Sequence, residues 1–200
     1  AGEDGNSDVD GNNLVLGLSA ARTFGAFSLT GAFAGTYGSF DTSRNVSVVE
    51  PTQADGSYDA YSAGVRLRAA YTARFDSAYV MPYLDLDAVY SSADGYDETG
   101  AGALNLAVAG SDQTLLRATP SIEVGKIFDL GDDLGLRAYG RVGYALSSED
   151  AYTTSARFAG ASPSLGGFDT SLAQSDSVAL VGAGLQVLGR ATDPDRVAAR

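Results

Sequence analysis

Apolar and polar residues alternate along most of this chain. Between Ala78 and Tyr90, Val80, Pro82, Leu84, Leu86, Ala88 and Tyr90 share one parity, while Met81, Tyr83, Asp85, Asp87 and Val89 share the other. A helix would mix the two sets. A strand separates them, because successive side chains point to opposite faces. Within Ser57–Phe75 the apolar set runs from Tyr61 through Val65, Leu67 and Tyr71 to Phe75, opposite Ser62, Arg66, Arg68 and Arg74. Within Leu116–Phe128 it is Leu116, Ala118, Pro120, Ile122, Val124 and Phe128, broken by Lys126 and opposed by Arg117, Thr119, Ser121 and Glu123. Leu134–Leu146 repeats the pattern, with Arg137, Tyr139 and Arg141 on its polar side. Gly25–Phe40 alternates Phe27, Leu29, Phe33 and Tyr37 with Ser28, Thr30 and Thr36, and Asn13–Arg22 and Ser177–Gly189 carry weaker versions. The pattern predicts about seven long antiparallel strands.

Short connections are expected near Arg22–Gly25, Phe75–Ala78 and Phe128–Leu134, and longer polar loops near Asp41–Gly56, Tyr96–Gly102 and Gly160–Phe168. Short turns at one end and long loops at the other characterise membrane barrels. Pro82 and Pro120 fall inside strand patterns, where a missing N–H predicts bulges or nearby strand ends. Interior glycines such as Gly31, Gly35, Gly64, Gly140, Gly143, Gly182 and Gly184 predict either rings of a neighbouring strand lying over bare backbone or bends for closure.

Alternation alone fits either a soluble sandwich, with its apolar faces turned inward, or a barrel, with its apolar faces turned to lipid. Two features favour the barrel. Apolar faces end in aromatics (Tyr61, Phe75, Tyr90, Phe128, Tyr144), as a girdle at the membrane interfaces would. The strand patterns, about 13 to 20 residues, also exceed the ~5–6 usual in soluble sheets and the ~9–11 that cross a bilayer. The most apolar stretch, Ala179–Gly189, is too short for a membrane helix.

Composition narrows function further. Thirteen Lys+Arg against 25 Asp+Glu give a formal charge of −12, without the cationic footprint that nucleic acid requires. The absence of histidine removes Ser-His-Asp hydrolysis, His-ligated zinc and His general bases, and the absence of cysteine removes thiol chemistry and disulfides. No catalytic residue, metal ligand or cofactor is assigned. The run Asp4–Asn12 spaces oxygen ligands at every second residue, but it lacks the glycine and distal Glu register of a calcium loop and reads as an acidic loop.

The runs Pro82–Tyr90 (PYLDLDAVY), Glu98–Leu106, Ala156–Ala161, Phe40–Arg44 and Ala183–Gln186, taken in order, resemble the translocator domain of bacterial autotransporters, the type V secretion family. The resemblance spans roughly residues 12 to 189. It implies a 12-stranded antiparallel transmembrane β-barrel in the outer membrane of a Gram-negative bacterium. This chain would supply about seven strands of an incomplete barrel, flanked by an acidic segment (1–11) and a polar tail (190–200) unrelated to it. The implied function is a pore and anchor that exports an N-terminal passenger, without covalent chemistry. Its partners would be outer-membrane lipid, the passenger or linker segment in the pore and the barrel-assembly machinery. The alternative from another class is a soluble secreted β-sandwich that binds a surface partner.

On the barrel reading, the polar faces line a lumen with Arg66, Arg68, Arg74, Arg117, Arg137 and Arg141 against Asp85, Asp87 and Glu123. Two roles are open. The charges hold a linker through charged hydrogen bonds, or they pair with one another and stiffen the wall. Asp85 and Asp87 share a face about 7 Å apart, and arginines nearby favour ion pairing over acid–base or metal chemistry.

Overall fold

The computed structural model describes residues 7–47, 51–131, 134–148, 151–162, 166–173 and 175–189. The chain is almost entirely strand. In order it forms β1 (Ser7–Phe24), β2 (Phe27–Ser47), β3 (Pro51–Tyr71), β4 (Ala73–Phe75), β5 (Ala78–Ala93), β6 (Tyr96–Asp97), a single 3-10 turn (Gly102–Leu104), β7 (Leu106–Val108), β8 (Ser111–Gly131), β9 (Leu134–Ser147), β10 (Ala151–Phe158), β11 (Phe168–Ala173) and β12 (Ser177–Leu188). The large sheet is antiparallel, ordered β1-β2-β3-β5-β8-β9-β12, with β4 also on β5. A smaller sheet is ordered β11-β10-β7-β6.

Register places every apolar set on the same side. Leu18 pairs with Phe33, Phe33 with Val65, Val65 with Ala88, and Ala88 with Leu116. The next rows continue through Ile122–Val142–Val181. These side chains are exposed: Leu16 is 65% accessible, Val181 86% and Leu185 74%. No second layer covers this face among the described residues, so the sandwich alternative fails on the feature that defines it. An apolar surface this continuous does not persist in water.

Aromatic rows bound the band. Phe27 pairs with Tyr71 at one edge and Tyr37 with Tyr61 at the other, so β2 and β3 each span eleven alternating residues from ring to ring, both rings included. That length matches the ~9–11 tilted residues needed to cross the hydrocarbon. The Tyr61 and Tyr90 rings lie 5.9 Å apart. Two cations do reach the apolar face, both at the short-turn edge. Arg22 lies 5.0 Å from the Phe24 ring centre and Lys126 5.3 Å from that of Phe128, where long stems can carry charge to the headgroups.

The opposite face is concave. Residues from β3 through β12 line one cavity, so the sheet curls around its polar side. Bare glycines permit the curl. The Tyr79 ring lies over Gly125, and Tyr139 lies over Gly184 with its ring 2.6 Å from where a Cβ would stand. Gly182 takes the Arg141 side chain and Gly64 the Val89 side chain, while Gly140 meets nothing closer than 4.0 Å.

Three expectations are corrected. The segment Asp41–Gly56 is not a loop; β2 and β3 stay paired out to Ser47 and Pro51, because past the membrane both faces meet water and polar residues are tolerated on a continuing ladder. Likewise Ser7–Gly11, expected in an acidic loop, pairs with Phe40–Arg44 as the start of β1; the remainder of that loop and the 190–200 tail fall outside the described residues. The prolines make no bulge. β3 and β4 share one register on β5, broken over Tyr71 and Thr72 opposite Pro82 and Met81, so that β3 ends opposite Pro82, the strand end expected as the alternative. The β8–β9 ladder skips Thr119 and Pro120 without a shift, and the one register shift lies at Asp129/Gly131. A missing N–H removes rungs but leaves the register intact.

Gly125→Val places a branched side chain under Tyr79 and is expected to lower the stability of the folded barrel form by about 1–3 kcal/mol. The midpoint of the heat-induced gel-mobility shift in detergent measures this.

Candidate lumenal site

Alternation sends the polar parity of β3, β5, β8 and β9 inward, and antiparallel register then stacks it in rows. In one row Arg66, Asp87, Arg117 and Ser147 lie side by side on successive strands; in the next, Arg68, Asp85 and Thr119 do. Cross-strand neighbours on one face are close enough for direct bonding. Arg66 Nε donates to Asp87 Oδ1 at 2.5 Å and its second nitrogen to Oδ2 at 3.2 Å. Arg68 clamps Asp85 in the same two-pronged way at 2.6 and 2.7 Å, and lies 4.6 Å from the centre of the Tyr83 ring. Each aspartate is therefore committed to one guanidinium, and pairing prevails over acid–base chemistry for both.

A second cluster lies toward the short-turn end. Arg137 donates to Glu123, to Tyr79 Oη at 2.6 Å and to Gln186 Oε1 at 3.1 Å, while Tyr79 donates to Glu123 Oε1 at 2.6 Å. This network ties β5, β8, β9 and β12 together and is largely shut from solvent, with side-chain exposures of 9% for Arg137 and 7% for Glu123. Buried charges of this kind persist only when paired and hydrogen-bonded.

The cavity has a volume of about 550 Å³. Of the nine residues assigned to the lumen, Arg66, Arg68, Asp85, Asp87, Arg117 and Arg141 line it. Glu123 and Arg137 form the adjoining cluster, and Arg74 lies on β4 opposite Tyr79, outside the lining. The sequence reading put Tyr83, Thr119 and Ser121 on the polar faces without assigning them to the site, and did not name Tyr79 or Ser147. The two tyrosines share the parity of Asp85 and Asp87, and that parity was the available signal.

A third contact lies at the long-loop end. There the β6–β7 segment lies against the concave side of the extended β2–β3 hairpin. Phe40, Tyr58 and Tyr96 stack with successive ring centres 5.3 Å apart, Tyr96 resting against Gly56. Arg44 holds Glu98 by two bonds, at 3.1 and 2.5 Å, and also donates to the Leu104 carbonyl at 3.0 Å. Glu98 in turn accepts the Leu106 N–H at 2.8 Å. The Glu98 hydrogen bond holds the Arg44 pKa above its ordinary value, so the cation is permanent. Burial first, and the Glu98 charge second, push the Tyr96 hydroxyl up, so it stays neutral. Nothing in the sequence joins Arg44 to Glu98, 54 positions away.

The autotransporter beta-domain family model matches residues 2–189. The chain belongs to that family. No curated protein sequence matches it. Among solved structures it is similar to the translocator domain of the autotransporter NalP from Neisseria meningitidis, at 14% identity with a TM-score of 0.57. That match covers 91% of this chain and 65% of the other, so the chain spans slightly less than two thirds of that domain. An autotransporter β-domain accounts for both the outward apolar band and the inward arginines.

Two substitutions test the buried pairs. Glu123→Ala strands Arg137 in the wall and is expected to cost about 3–5 kcal/mol, read as a lower gel-shift midpoint. Glu98→Ala is expected to leave the large sheet folded but release residues 94–110, which hydrogen exchange would detect as faster exchange at Glu98 and Thr99, the N–H groups bonded to Leu106 and Asp55.

Proposed function

We propose that this β-domain serves as an outer-membrane translocator, a pore and anchor that carries an N-terminal passenger to the surface of a Gram-negative cell. The observation that carries the reading is the sheet's division into two faces. An apolar band one bilayer thick faces outward, and a wet wall rich in arginine faces inward. Hydrocarbon accepts the first face, and a hydrated chain in transit suits the second.

On this reading the partners are outer-membrane lipid around the band, the passenger or linker segment against the lumen wall, and the barrel-assembly machinery during insertion. Arg66, Arg68, Asp85, Asp87, Arg117 and Arg141 form the wall that this segment meets, with the Glu123–Arg137 pair bracing it from the adjoining cluster and Arg74 lying outside the lining. The domain itself performs no covalent chemistry, consistent with a chain without histidine or cysteine. The short turns face the periplasm, and the β2–β3 hairpin and the smaller sheet face the medium.

The test expresses the full-length protein with an N-terminal epitope in a Gram-negative host. The expected result is epitope cleaved by protease added to intact cells, and a barrel recovered from the outer membrane only with detergent, showing heat-modifiable mobility. Recovery as a detergent-independent periplasmic protein would overturn the reading.

A further inference from the structure

The two cations on the lipid face are placed alike. Among the described residues of the large sheet, only Arg22 and Lys126 carry positive charge on the apolar parity. Each stands two residues before a phenylalanine, on a strand running toward a short connection: Arg22 before Phe24 on β1, Lys126 before Phe128 on β8. Cation and ring therefore share a face, with the ring nearer the turn. Each cation leans over its ring, 5.0 Å from the Phe24 centre and 5.3 Å from that of Phe128. Arg22 is rooted level with Leu29 and Ala69, one outward row inside the Phe24–Phe27 edge. Lys126 is flanked by Ala78 and Ala138, whose small side chains leave the surface low on both sides of it. Both cations are exposed, and among the described residues neither has a carboxylate partner. The opposite edge has the reverse chemistry. Beyond Tyr37 and Tyr61 the same parity brings Asp10, Asp41, Asp59 and Asp112, and no cation among the described residues.

We propose that Arg22 with Phe24, and Lys126 with Phe128, form two binding sites for the phosphate of an anionic glycerophospholipid in the leaflet at the short-turn edge. This rests on the translocator reading, which puts that edge at the periplasmic leaflet, and adds to it the lipid class and the residues that select it. A cation rooted inside an apolar band and left without a protein anion is costly unless its stem carries it to the headgroups. There a phosphate oxygen answers the charge. The Arg22 fork takes two such oxygens, and the Lys126 ammonium acts as a compact point charge.

The surroundings fit a whole lipid and not a free anion. Acyl chains of a lipid held at Arg22 lie along Leu18 and Leu16, and those of one held at Lys126 along Val124 and Ile122, all of them exposed. Four strand spacings separate β1 from β8, roughly 19 Å, so each site holds its own lipid. The carboxylates at the far edge repel the same headgroup, which confines the preference to one leaflet.

The test extracts the full-length protein in detergent and counts retained lipid by native mass spectrometry, with phosphatidylglycerol or phosphatidylcholine added at equal concentration. The unaltered protein is expected to hold two phosphatidylglycerol molecules roughly fivefold more tightly than phosphatidylcholine, a preference of about 1 kcal/mol per cation. R22Q and K126Q are each expected to remove one selective site, and R22Q/K126Q both, with heat-modifiable mobility retained. R22K/K126R, which keeps both charges, is expected to keep both sites. Should the double glutamine variant fail to fold, the two single variants carry the same comparison. Undiminished phosphatidylglycerol preference in a folded glutamine variant overturns the sites, as does equal retention of the two lipids by the unaltered protein. Displacement of the lipid by inorganic phosphate at the same concentration also overturns them, in favour of a free anion. Recovery of the unaltered protein without detergent overturns the translocator reading instead, so the two failures are distinct.

Discussion

Hydrocarbon offers no partner to a backbone N–H or C=O, so a chain that crosses it as strands must satisfy those groups by pairing with its neighbours. That requirement organises the large sheet. It explains why the ladders hold one register across the apolar band, and why the two interior prolines delete rungs without shifting the ladder. A one-residue slip of a strand would turn its lumenal arginines into lipid and its leucines into the lumen. The cost of that exchange is what holds the register against Pro82 and Pro120.

With the backbone satisfied, the side chains sort by medium. The lipid face needs no internal packing, which is why its leucines and valines stand exposed with little apolar core beneath them. The lumen face is where specific contacts form. Two-pronged Arg–Asp pairs, a Tyr–Glu–Arg network across four strands and rings laid over glycine do there what a hydrophobic core does in a soluble domain. Carboxylates elsewhere, including Asp41, Asp55, Asp94, Asp97 and Asp112, lie beyond the long-loop aromatic row. A strongly acidic chain thus presents a locally basic lumen.

The smaller sheet follows a different logic. It lies in water, where a few residues of β6 and β7 would not hold together alone. The Phe40–Tyr58–Tyr96 stack and the Arg44–Glu98 clamp anchor it to the hairpin. The over-long β2–β3 hairpin is thereby a scaffold for the surface structure at that end, and not an unstructured loop.

The number of long strands and their parity were legible in the sequence, because a period of two is a local property and lipid on one side makes it conspicuous; the short strands of the smaller sheet were not. The same alternation located the face of Asp85 and Asp87, and of the tyrosines beside them. It could not say that Asp41–Gly56 continues a ladder, since polar residues in water carry no signal for or against pairing. Nor could it assign Asp87 to Arg66 while leaving Arg117 without a carboxylate, although both arginines flank that aspartate on adjacent strands. Local chemistry determined which side chains face the lumen. Which guanidinium takes which carboxylate, and that Arg44 reaches Glu98, depended on distances between strands far apart in the chain, and those exist only once the sheet has curled.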